Sequence, residues 1–240
     1  MELIILAAGR GSRLPKKFRG LPKCLVKINS KELIYYNENF IKKFKKRYLV
    51  CGYKKKILQK KIKHLNFSFI QNSIYTKTNM VYSLSLTKKK ITKDVVIMYG
   101  DVIFNNDIYN LLNSKKNILP LNTAWLKNWK ERMGMKKTLI DAEDIKIKNN
   151  IVTEIGNPLS KNKLPKFQFM GLIKLNKKTF YNMMSFFKKI KNNKIDMTSF
   201  LNLCIKEKIL KINIARSKDY WYEIDTVKDY MYAQKQIKKW

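Results

Sequence analysis

The sequence predicts an α/β fold with a mostly parallel central sheet, helices on both faces and a small antiparallel accessory sheet. Short β-branched runs alternate with segments of helical periodicity through the first half of the chain, as in strands joined by crossover helices. The second half adds a hairpin pattern and longer helical segments. With 45% hydrophobic residues in 240, the chain can bury one core, so we expect a single domain over residues 1–240.

The first half supplies the parallel part of the predicted sheet. Buried strands are predicted at residues 2–8, 48–51, 67–70 and 94–99, and helices at residues 33–44, 54–65 and 79–86. When crossover helices cover both faces of a parallel sheet, ligands bind in the crevice at the carboxyl ends of its strands. Side chains that directly follow these strands are therefore the first candidates for a functional site.

The second half has a more mixed pattern. Asn149 and Asn150 separate two short strand-like runs, residues 145–148 and 151–155, and predict a hairpin. The remaining predictions are a strand at residues 167–175, helices at 177–190, 197–206 and from 226 to about 239, and a loop around 158–165.

The chain is strongly basic, with 52 Lys and Arg against 17 Asp and Glu and a formal net charge of +35. Such a charge attracts phosphates, so a Lys-rich module that binds nucleic acid or an anionic membrane is one hypothesis. Only six of the basic residues are Arg, however, and the lysines are spread along the whole chain. This distribution favours a compositional bias over a nucleic-acid surface, and the charge still attracts anionic substrates.

Several other function classes are disfavoured. No apolar run approaches the roughly 20 residues of a membrane-spanning helix, and the chain starts on a strand-like run that does not resemble a signal peptide, so a cytoplasmic location is expected. Cys24, Cys51 and Cys204 lack CxxC spacing, which indicates reduced core residues. The single histidine, His64, lies on a Lys-rich helical face and predicts no chemistry, which argues against Ser/His/Asp catalysis.

The strongest functional signal directly follows the first predicted strand. It is the glycine loop, the run Leu6-Ala7-Ala8-Gly9-Arg10-Gly11-Ser12-Arg13-Leu14. Small residues and two glycines let backbone N–H groups approach an anion, and Arg13 adds a guanidinium. The run matches neither the dinucleotide-binding motif nor the P-loop. Lys23 precedes a second apolar run and can return to the same crevice, where it would neutralise developing negative charge. An ordinary turn is the alternative for each stretch.

Acidic residues are scarce, so their positions are informative. Asp101 follows the strand predicted to end at residue 99, at the edge where a ligand is expected. Glu223 and Asp225 lie two apart, and in an extended segment they would point to the same side. The three carboxylates predict a Mg²⁺ site completed by substrate phosphates. For Asp225 the alternative is an N-cap of the last helix.

Aromatic residues suggest an acceptor site. Trp125 and Trp129 lie four residues apart with lysines beside them, and Trp221 lies in a second aromatic cluster. One interpretation is a partly exposed lip whose rings hold a cationic headgroup, and the alternative is core packing.

Together, the glycine loop, Pro22-Lys23, Asp101 and the pair Glu223 and Asp225 resemble the nucleotidyltransferase superfamily of the sugar-1-phosphate nucleotidylyltransferases. Further stretches resemble the small bacterial cytidylyltransferases of the phosphocholine and phosphoglutamine type, which use CTP. These stretches are residues 78–84, 169–172, 196–200 and 222–230, and residues 122–132 followed by 141–144 resemble the phosphoglutamine enzymes most. The resemblance covers almost the full length, although the segment between Arg13 and Pro22 is shorter than is usual in that family.

The resemblance implies a single Rossmann-like nucleotidyltransferase domain, with a nucleotide-binding half over about residues 1–115 and an acceptor-binding half over about 116–240. It implies Mg²⁺-dependent transfer of CMP from CTP to a small phosphorylated or phosphonate acceptor, with pyrophosphate released, in surface polysaccharide or lipid decoration. An acceptor that bears an amine or an amino acid is favoured, and a sugar-1-phosphate is the alternative. A monomer or homodimer without nucleic acid or stable membrane insertion is expected.

The residue roles follow from these motifs by position. The implied catalytic residues are Arg13, Lys23, Asp101 and Asp225, and the metal ligands are Asp101, Glu223 and Asp225. The implied nucleotide site comprises Leu6, Ala7, Ala8, Gly9, Gly11, Ser12, Arg13, Lys23, Asn79 and Ser83. The candidate acceptor site is the aromatic set Trp125, Trp129 and Trp221.

Overall fold

The structure, a computed structural model, describes residues 1–18, 20–159 and 164–238. Its strands are β1 (Glu2–Ala7), β2 (Lys27–Ile28), β3 (Lys31–Glu32), β4 (Arg47–Cys51), β5 (Ser68–Gln71), β6 (Val95–Tyr99), β7 (Val102–Phe104), β8 (Ile118–Asn122), β9 (Glu143–Lys148), β10 (Ile151–Pro158), β11 (Gln168–Phe169), β12 (Leu172–Leu175), β13 (Asn213–Ser217) and β14 (Trp221–Glu223). Its α-helices are α1 (Glu38–Lys42), α2 (Lys55–Lys61), α3 (Met80–Ser85), α4 (Ile108–Leu112), α5 (Trp125–Met133), α6 (Met135–Asp141), α7 (Lys177–Ile190), α8 (Met197–Lys206) and α9 (Val227–Ile237).

The central sheet has the strand order β5-β4-β1-β6-β12-β8-β13-β10-β9, with β11 paired to β8. The strands from β5 to β6 are parallel to one another, and so are β8 and β13. β12, β10 and β9 run antiparallel to their neighbours. Two small antiparallel sheets pair β2 with β3 and β7 with β14. The α/β fold that the sequence predicts is confirmed.

β1 is the strand that positions the site. It lies between β4 and β6, and all six of its residues are buried, including the continuous apolar run from Leu3 to Ala7 that is typical of a central parallel strand. Ala7 is opposite Cys51, and Leu6 is opposite Tyr99, so these three strands end at one edge of the sheet. The glycine loop, Gly52 and Gly100, which directly follow these strands, therefore lie side by side at that edge.

The predicted hairpin is confirmed between β9 and β10, and Asn149 and Asn150 adopt the left-handed φ values of 50° and 60° that its turn needs. The strand predicted at 167–175 is interrupted before β12. Gly171 has φ +70°, and β11 pairs with β8 whereas β12 pairs mainly with β6. Residues 160–163 of the predicted loop lie outside the described residues.

Three predicted helices differ at their ends or in their type. The segment 33–44 forms a 3-10 helix over Leu33–Asn37 before α1 begins. The buried Asn37 is the last residue of this 3-10 helix. Its side chain donates to Val102 O (2.7 Å) and accepts from Phe104 N (3.3 Å) on β7. The segment 54–65 forms α2 followed by a 3-10 turn over Lys63–Leu65. The last helix ends at Ile237, and residue 239 lies outside the described residues.

The remaining sequence-based expectations concern cysteines, histidine and membrane segments. The three cysteines are free and buried, as expected. His64 is exposed and stacks on Tyr35 at 5.2 Å between ring centroids. Within the described ranges, no helix combines the length and apolar character that a membrane crossing requires.

Candidate active site

The glycine loop packs directly against the end of β6. Gly100 N donates to Leu6 O at 3.0 Å, and a Cβ on Gly100 would lie 3.0 Å from both Leu6 O and the Ala7 Cβ. Because glycine carries no Cβ, the two strand ends can approach this closely. The next residue, Asp101, is thereby placed beside the loop.

Lys23 joins this edge from a separate 3-10 turn, Lys23–Leu25. Gly11 has φ +64°, and a Cβ there would lie 3.3 Å from the Lys23 Cγ, so glycine both permits the turn and makes room for the lysine. The Lys23 Nζ lies 2.5 Å from Asp101 Oδ2 and 2.6 Å from Asp225 Oδ1. Arg13 forms a second ion pair with Asp225. Two aspartates from distant parts of the chain therefore meet at one ammonium group, and Arg13 adds a second cation at Asp225.

The charge balance at Lys23 favours its ionised form. Its side chain is only 13% exposed, and burial by itself would lower its pKa. The two carboxylates outweigh burial and raise the pKa of Lys23 above its usual range. Charges about 4 Å apart interact by roughly 4 kcal/mol at partly buried sites, so the carboxylates would repel each other without a cation between them.

β14 brings Asp225 to this point. β14 pairs antiparallel with β7, and Ile224 N donates to Asp101 O at 2.9 Å. The N-cap of α9 is Thr226, whose hydroxyl accepts from Asp229 N, so the alternative of an Asp225 N-cap is wrong. The strand ends at Glu223, and Asp225 lies in the turn that follows. The carboxylate of Asp225 is thus available to Lys23.

A cavity of about 310 Å³, called here the small cavity, opens along the glycine loop. All ten residues of the predicted nucleotide site line it, together with Asp101 and Asp225. Sequence reasoning missed Arg10, Tyr75 and Thr78 in its wall. The Tyr75 ring lies against Gly52, where a Cβ would come within 2.5 Å of it, and the Arg10 guanidinium lies 5.9 Å from its centroid.

Hydrogen bonds hold the far wall of the small cavity. The buried Asn72 donates to Thr78 Oγ1 at 2.9 Å and to Ser83 Oγ at 3.0 Å. Asn79 accepts from Met80 N at 2.7 Å and so caps α3. The side chains of Asn79 and Ser83 therefore already have partners within the fold.

A cavity of about 640 Å³, called here the large cavity, adjoins the small one, and Arg13, Met80 and Asp225 line both. The charged residues in its wall are mostly acidic, opposite in sign to the net charge of the chain. Six of the 17 acidic residues line it, whereas only four of the 52 basic residues do. The acidic set is Asp141, Glu143, Asp196, Glu223, Asp225 and Asp229, and the basic set is Arg13, Arg132, Lys137 and Lys228.

The predicted tryptophan lip is not exposed. Trp125, Trp129 and Trp221 are 2%, 7% and 3% exposed, because their rings pack on one another at centroid distances of 5.4 and 5.9 Å. Trp129 and Trp221 still border the large cavity, but Trp125 does not. The face of α5 with the tryptophans thus points inward, and core packing is the correct interpretation for Trp125.

A connected group of polar side chains surrounds Glu143. Thr198 donates to Glu143 Oε1 at 2.9 Å and lies 3.1 Å from Asp196 Oδ1, while Gln168 donates to Glu143 O at 2.9 Å. Burial raises the pKa of Glu143 above its usual value, and the charges of Asp196 and Asp141 act in the same direction. This carboxylate-rich wall can bind a cation.

Glu223 lines the large cavity and not the small one. Burial, followed by the charge of Asp101, raises the pKa of Glu223 to about 7. Among the described residues, no three His, Cys, Asp or Glu side chains are grouped to hold a metal. The carboxylates that share a cation are Asp101 and Asp225, and the shared cation is Lys23.

Sequence signals for the missed residues were weak. Arg132 lies three residues after Trp129, and Glu143 and Asp196 are separated by 53 positions, so no local spacing connects them. The scarcity of acidic residues is the signal that could have found Glu143, since the acidic run 141–144 stands out in so basic a chain.

Comparison with known proteins gives three kinds of match. The family model of the MobA-like NTP transferase domain matches residues 3–123. A CTP:phosphoglutamine cytidylyltransferase of Campylobacter jejuni is 30% identical over 95% of this chain and 97% of its own, and a choline-phosphate cytidylyltransferase of Streptococcus pneumoniae is 25% identical over 99% of both. The solved inositol-1-phosphate CTP transferase from T. maritima superposes with a TM-score of 0.77 at 18% identity, over 99% of this chain and 96% of its own. That superposition supports the fold alone.

The environment of Glu143 generates a prediction about stability and pH. In the unfolded chain this carboxyl ionises near its ordinary value of 4.5, whereas the folded protein keeps its proton to higher pH. The stability that protonated Glu143 contributes is therefore lost as pH rises through the folded-state pKa. We expect Glu143→Gln to melt a few degrees above wild type at pH 8 and at nearly the same temperature at pH 5.

The control for this experiment is Glu207→Gln, at an exposed glutamate after α8. Thermal unfolding followed by circular dichroism between pH 5 and pH 8 gives the comparison. A difference between wild type and Glu143→Gln that stays constant with pH would contradict the prediction.

Proposed function

The chain belongs to the MobA-like NTP transferase domain family, and we propose that it transfers CMP from CTP to a small phosphorylated or phosphonate acceptor bearing an amine or an amino acid. Family membership confirms the nucleotidyltransferase resemblance and makes the protein an enzyme of that class. One observation carries the proposal. Lys23, Asp101 and Asp225 meet where a glycine-walled cavity joins a larger cavity, so two anionic substrates can face each other across them.

The small cavity is the proposed nucleotide site. The backbone of the glycine loop offers N–H groups to a triphosphate, and Arg13 and Lys23 add positive charge beside it. Both cytidylyltransferase relatives use CTP or form a cytidylyl product according to their names, which supports CTP for this chain.

The proposed reaction needs no general base. An oxygen of the acceptor phosphate, already ionised at pH 7, attacks the α-phosphorus of CTP in line. The new P–O bond forms as the bond to the β-phosphate breaks, and pyrophosphate leaves with the electron pair. The protein's task is to position two anions that repel each other and to stabilise charge at the α-phosphate, which Lys23 and Arg13 can do. The exposed His64 is consistent with this mechanism.

Asp101 and Asp225 are the proposed Mg²⁺ ligands. Asp101 Oδ1 is buried and has no hydrogen-bond partner among the described residues, and Mg²⁺ needs only one or two carboxylates when phosphates complete its coordination. Mg²⁺ in this position would neutralise charge on the phosphates. Because Lys23 contacts the same two carboxylates, the divalent ion and the ammonium compete, and we expect the ion to bind best together with the nucleotide. Glu223, the third predicted ligand, stays a prediction: it lines the large cavity together with Asp225, and burial and the charges of Asp101 and Asp225 all raise its pKa.

The large cavity is the proposed acceptor site. Its acidic wall, in a chain of net charge +35, favours an acceptor with a cationic group, and the cluster around Glu143 and Asp196 would bind the amine. Trp129 and Trp221 contribute ring surface beside it. Phosphoglutamine, phosphocholine, phosphoethanolamine and aminoethylphosphonate all fit this description.

The two proposed sites correspond to the two halves of the chain that the motifs predict. We propose one domain over residues 1–240, in which about 1–115 binds the nucleotide and about 116–240 supplies much of the acceptor site. A cytoplasmic monomer or homodimer that supplies an activated headgroup for surface polysaccharide or lipid decoration is the corresponding biological role.

A panel of nucleotides and acceptors tests the proposed function. The purified protein is incubated with Mg²⁺, each of CTP, UTP, ATP, GTP and dTTP, and each of the four amine-bearing acceptors or glucose-1-phosphate, and pyrophosphate release is measured. We expect turnover only with CTP and an amine-bearing acceptor. Turnover with glucose-1-phosphate instead would favour the sugar-1-phosphate alternative, and salt-sensitive binding to DNA without any turnover would favour the nucleic-acid hypothesis.

The carboxylates provide a second test. Asp101→Asn and Asp225→Asn should each lower kcat/KM by roughly 100- to 1000-fold, since each removes a charge that holds the metal and the phosphates in position. Both variants should keep the circular dichroism spectrum of wild type. Electron paramagnetic resonance of Mn²⁺ in the presence of CTP should show weaker metal binding.

Asp107→Asn is the matched control, because Asp107 is an exposed aspartate only six residues from Asp101. Pyrophosphate release at the wild-type rate by Asp225→Asn would show the metal assignment to be wrong.

A further inference from the structure

We propose that Arg132 binds the phosphate of the acceptor and that Asp229 couples this contact to the position of Asp225. The inference rests on the proposed function and adds a residue to it. Arg132 lies on α5 and lines the large cavity, which it shares with Asp225 and Asp229.

Arg132 is the buried cation of the large cavity. Its side chain is 7% exposed, whereas that of Arg13 is 69% exposed, and Lys137 and Lys228 are exposed residues. The Arg132 Cζ lies over the Trp129 ring, 4.9 Å from its centroid, and this cation–π contact restricts the position of the guanidinium. A charge removed from water in this way binds an anion more strongly than a surface lysine does.

The hydrogen-bonding capacity of Arg132 is largely unused. A guanidinium has five N–H donors. Nε lies 3.1 Å from Asp229 Oδ1, yet it has no aligned hydrogen-bond acceptor among the described residues. The one hydrogen bond found for Arg132 within the described ranges is a long one, 3.5 Å from Nη1 to Glu223 O. Nε already faces the Asp229 carboxylate, so the nitrogen left for a ligand is Nη2, for which no protein acceptor is found among the described residues. Buried side chains whose donors lack protein partners are rare in folded proteins.

The geometry of the Arg132 guanidinium indicates the chemistry of its ligand. Planar, parallel N–H groups match the oxygens of a phosphate, which every proposed acceptor carries or replaces with a phosphonate. An amine is excluded as the partner of Arg132 by like charge, and the carboxylates around Glu143 provide for it elsewhere in the same cavity.

Asp229 connects Arg132 to the reaction centre. Its Oδ1 faces Arg132, and its Oδ2 accepts from Thr226 N at 2.7 Å and from Asp225 N at 3.1 Å. The same carboxylate thus holds the backbone of the residue whose side chain contacts Lys23. A phosphate that engages Arg132 therefore acts on a group bonded to the Asp225 backbone. Arg132 is an acceptor-binding residue, and Asp229 is a positioning residue.

Direct binding tests the assignment. Wild type, Arg132→Gln, Arg132→Lys and Lys130→Gln are titrated by calorimetry with phosphoethanolamine, phosphocholine, phosphoglutamine and aminoethylphosphonate, and with ethanolamine and choline. Lys130 is the matched control, an exposed cation on the same helix. We expect Arg132→Gln to bind the preferred phosphorylated ligand at least tenfold more weakly, the size of one charge-assisted hydrogen bond. Arg132→Lys should recover part of this loss, and Lys130→Gln should match wild type.

The phosphate-free amines separate a binding role from a structural one. Ethanolamine or choline should bind wild type and Arg132→Gln equally, because neither carries the group that Arg132 holds. Equal loss of the phosphorylated and phosphate-free ligands, or unchanged binding of the phosphorylated ones, would overturn the assignment, and so would a wild type that binds none of the four. Binding that depends on Arg132 without pyrophosphate release from any nucleotide would contradict the proposed function and leave this assignment standing.

Kinetics test the coupling through Asp229. In the Arg132 variants the acceptor KM should rise while the KM for CTP stays within about twofold. Asp229→Asn keeps an oxygen for the Asp225 and Thr226 amides but leaves the buried Arg132 without its carboxylate partner, so it should lower the melting temperature. Measured well below that temperature, its kcat should be at least tenfold lower than that of wild type, while the KM for CTP stays within about twofold. Wild-type kcat in Asp229→Asn would overturn the coupling.

Discussion

The ammonium group of Lys23 between Asp101 and Asp225 is the interaction on which the rest of the site depends. It joins the turn after the glycine loop, where Lys23 lies, to the end of β6 and to the segment after β14. Asp101 is 78 residues from Lys23 along the chain, and Asp225 is 202 residues from it. Opposite charge holds these three segments at the edge of the sheet, and both cavities open from that point. The proposed chemistry uses the same attraction, since a phosphate oxygen is an anion that the Lys23 ammonium can contact in place of a carboxylate oxygen.

The charge of the large cavity differs in sign from that of the whole chain. The chain as a whole is strongly positive, a property that attracts phosphorylated substrates from solution. The charged residues that line the large cavity are instead mostly acidic, with Arg132 as its buried cation. An acceptor with both a phosphate and an amine would find an opposite charge for each of its ends. The acidic wall thus supplies selectivity that the overall charge of the chain cannot provide.

Several features were accessible from sequence because they are local. The hairpin turn at Asn149 and Asn150 and the bounds of α7 and α8 follow from turn chemistry and periodicity. β8 was not predicted, since its Pro120 weakens the strand signal although all five residues are buried. The tryptophan lip was misjudged for a related reason. The spacing of Trp125 and Trp129 shows that they share a helical face, but only packing against Trp221 shows that this face is buried.

The sequence by itself determined the α/β class, the glycine loop and the identity of the candidate residues Lys23, Asp101 and Asp225, because composition and spacing limit the chemistry of short segments. Only the tertiary structure decided which of these residues meet, and that Glu223, Arg132, Asp229 and Glu143 all line the large cavity. The physical reason is that such contacts depend on strand order and on the pairing of β14 with β7. Side chains that are far apart along the chain become neighbours only when the sheets form.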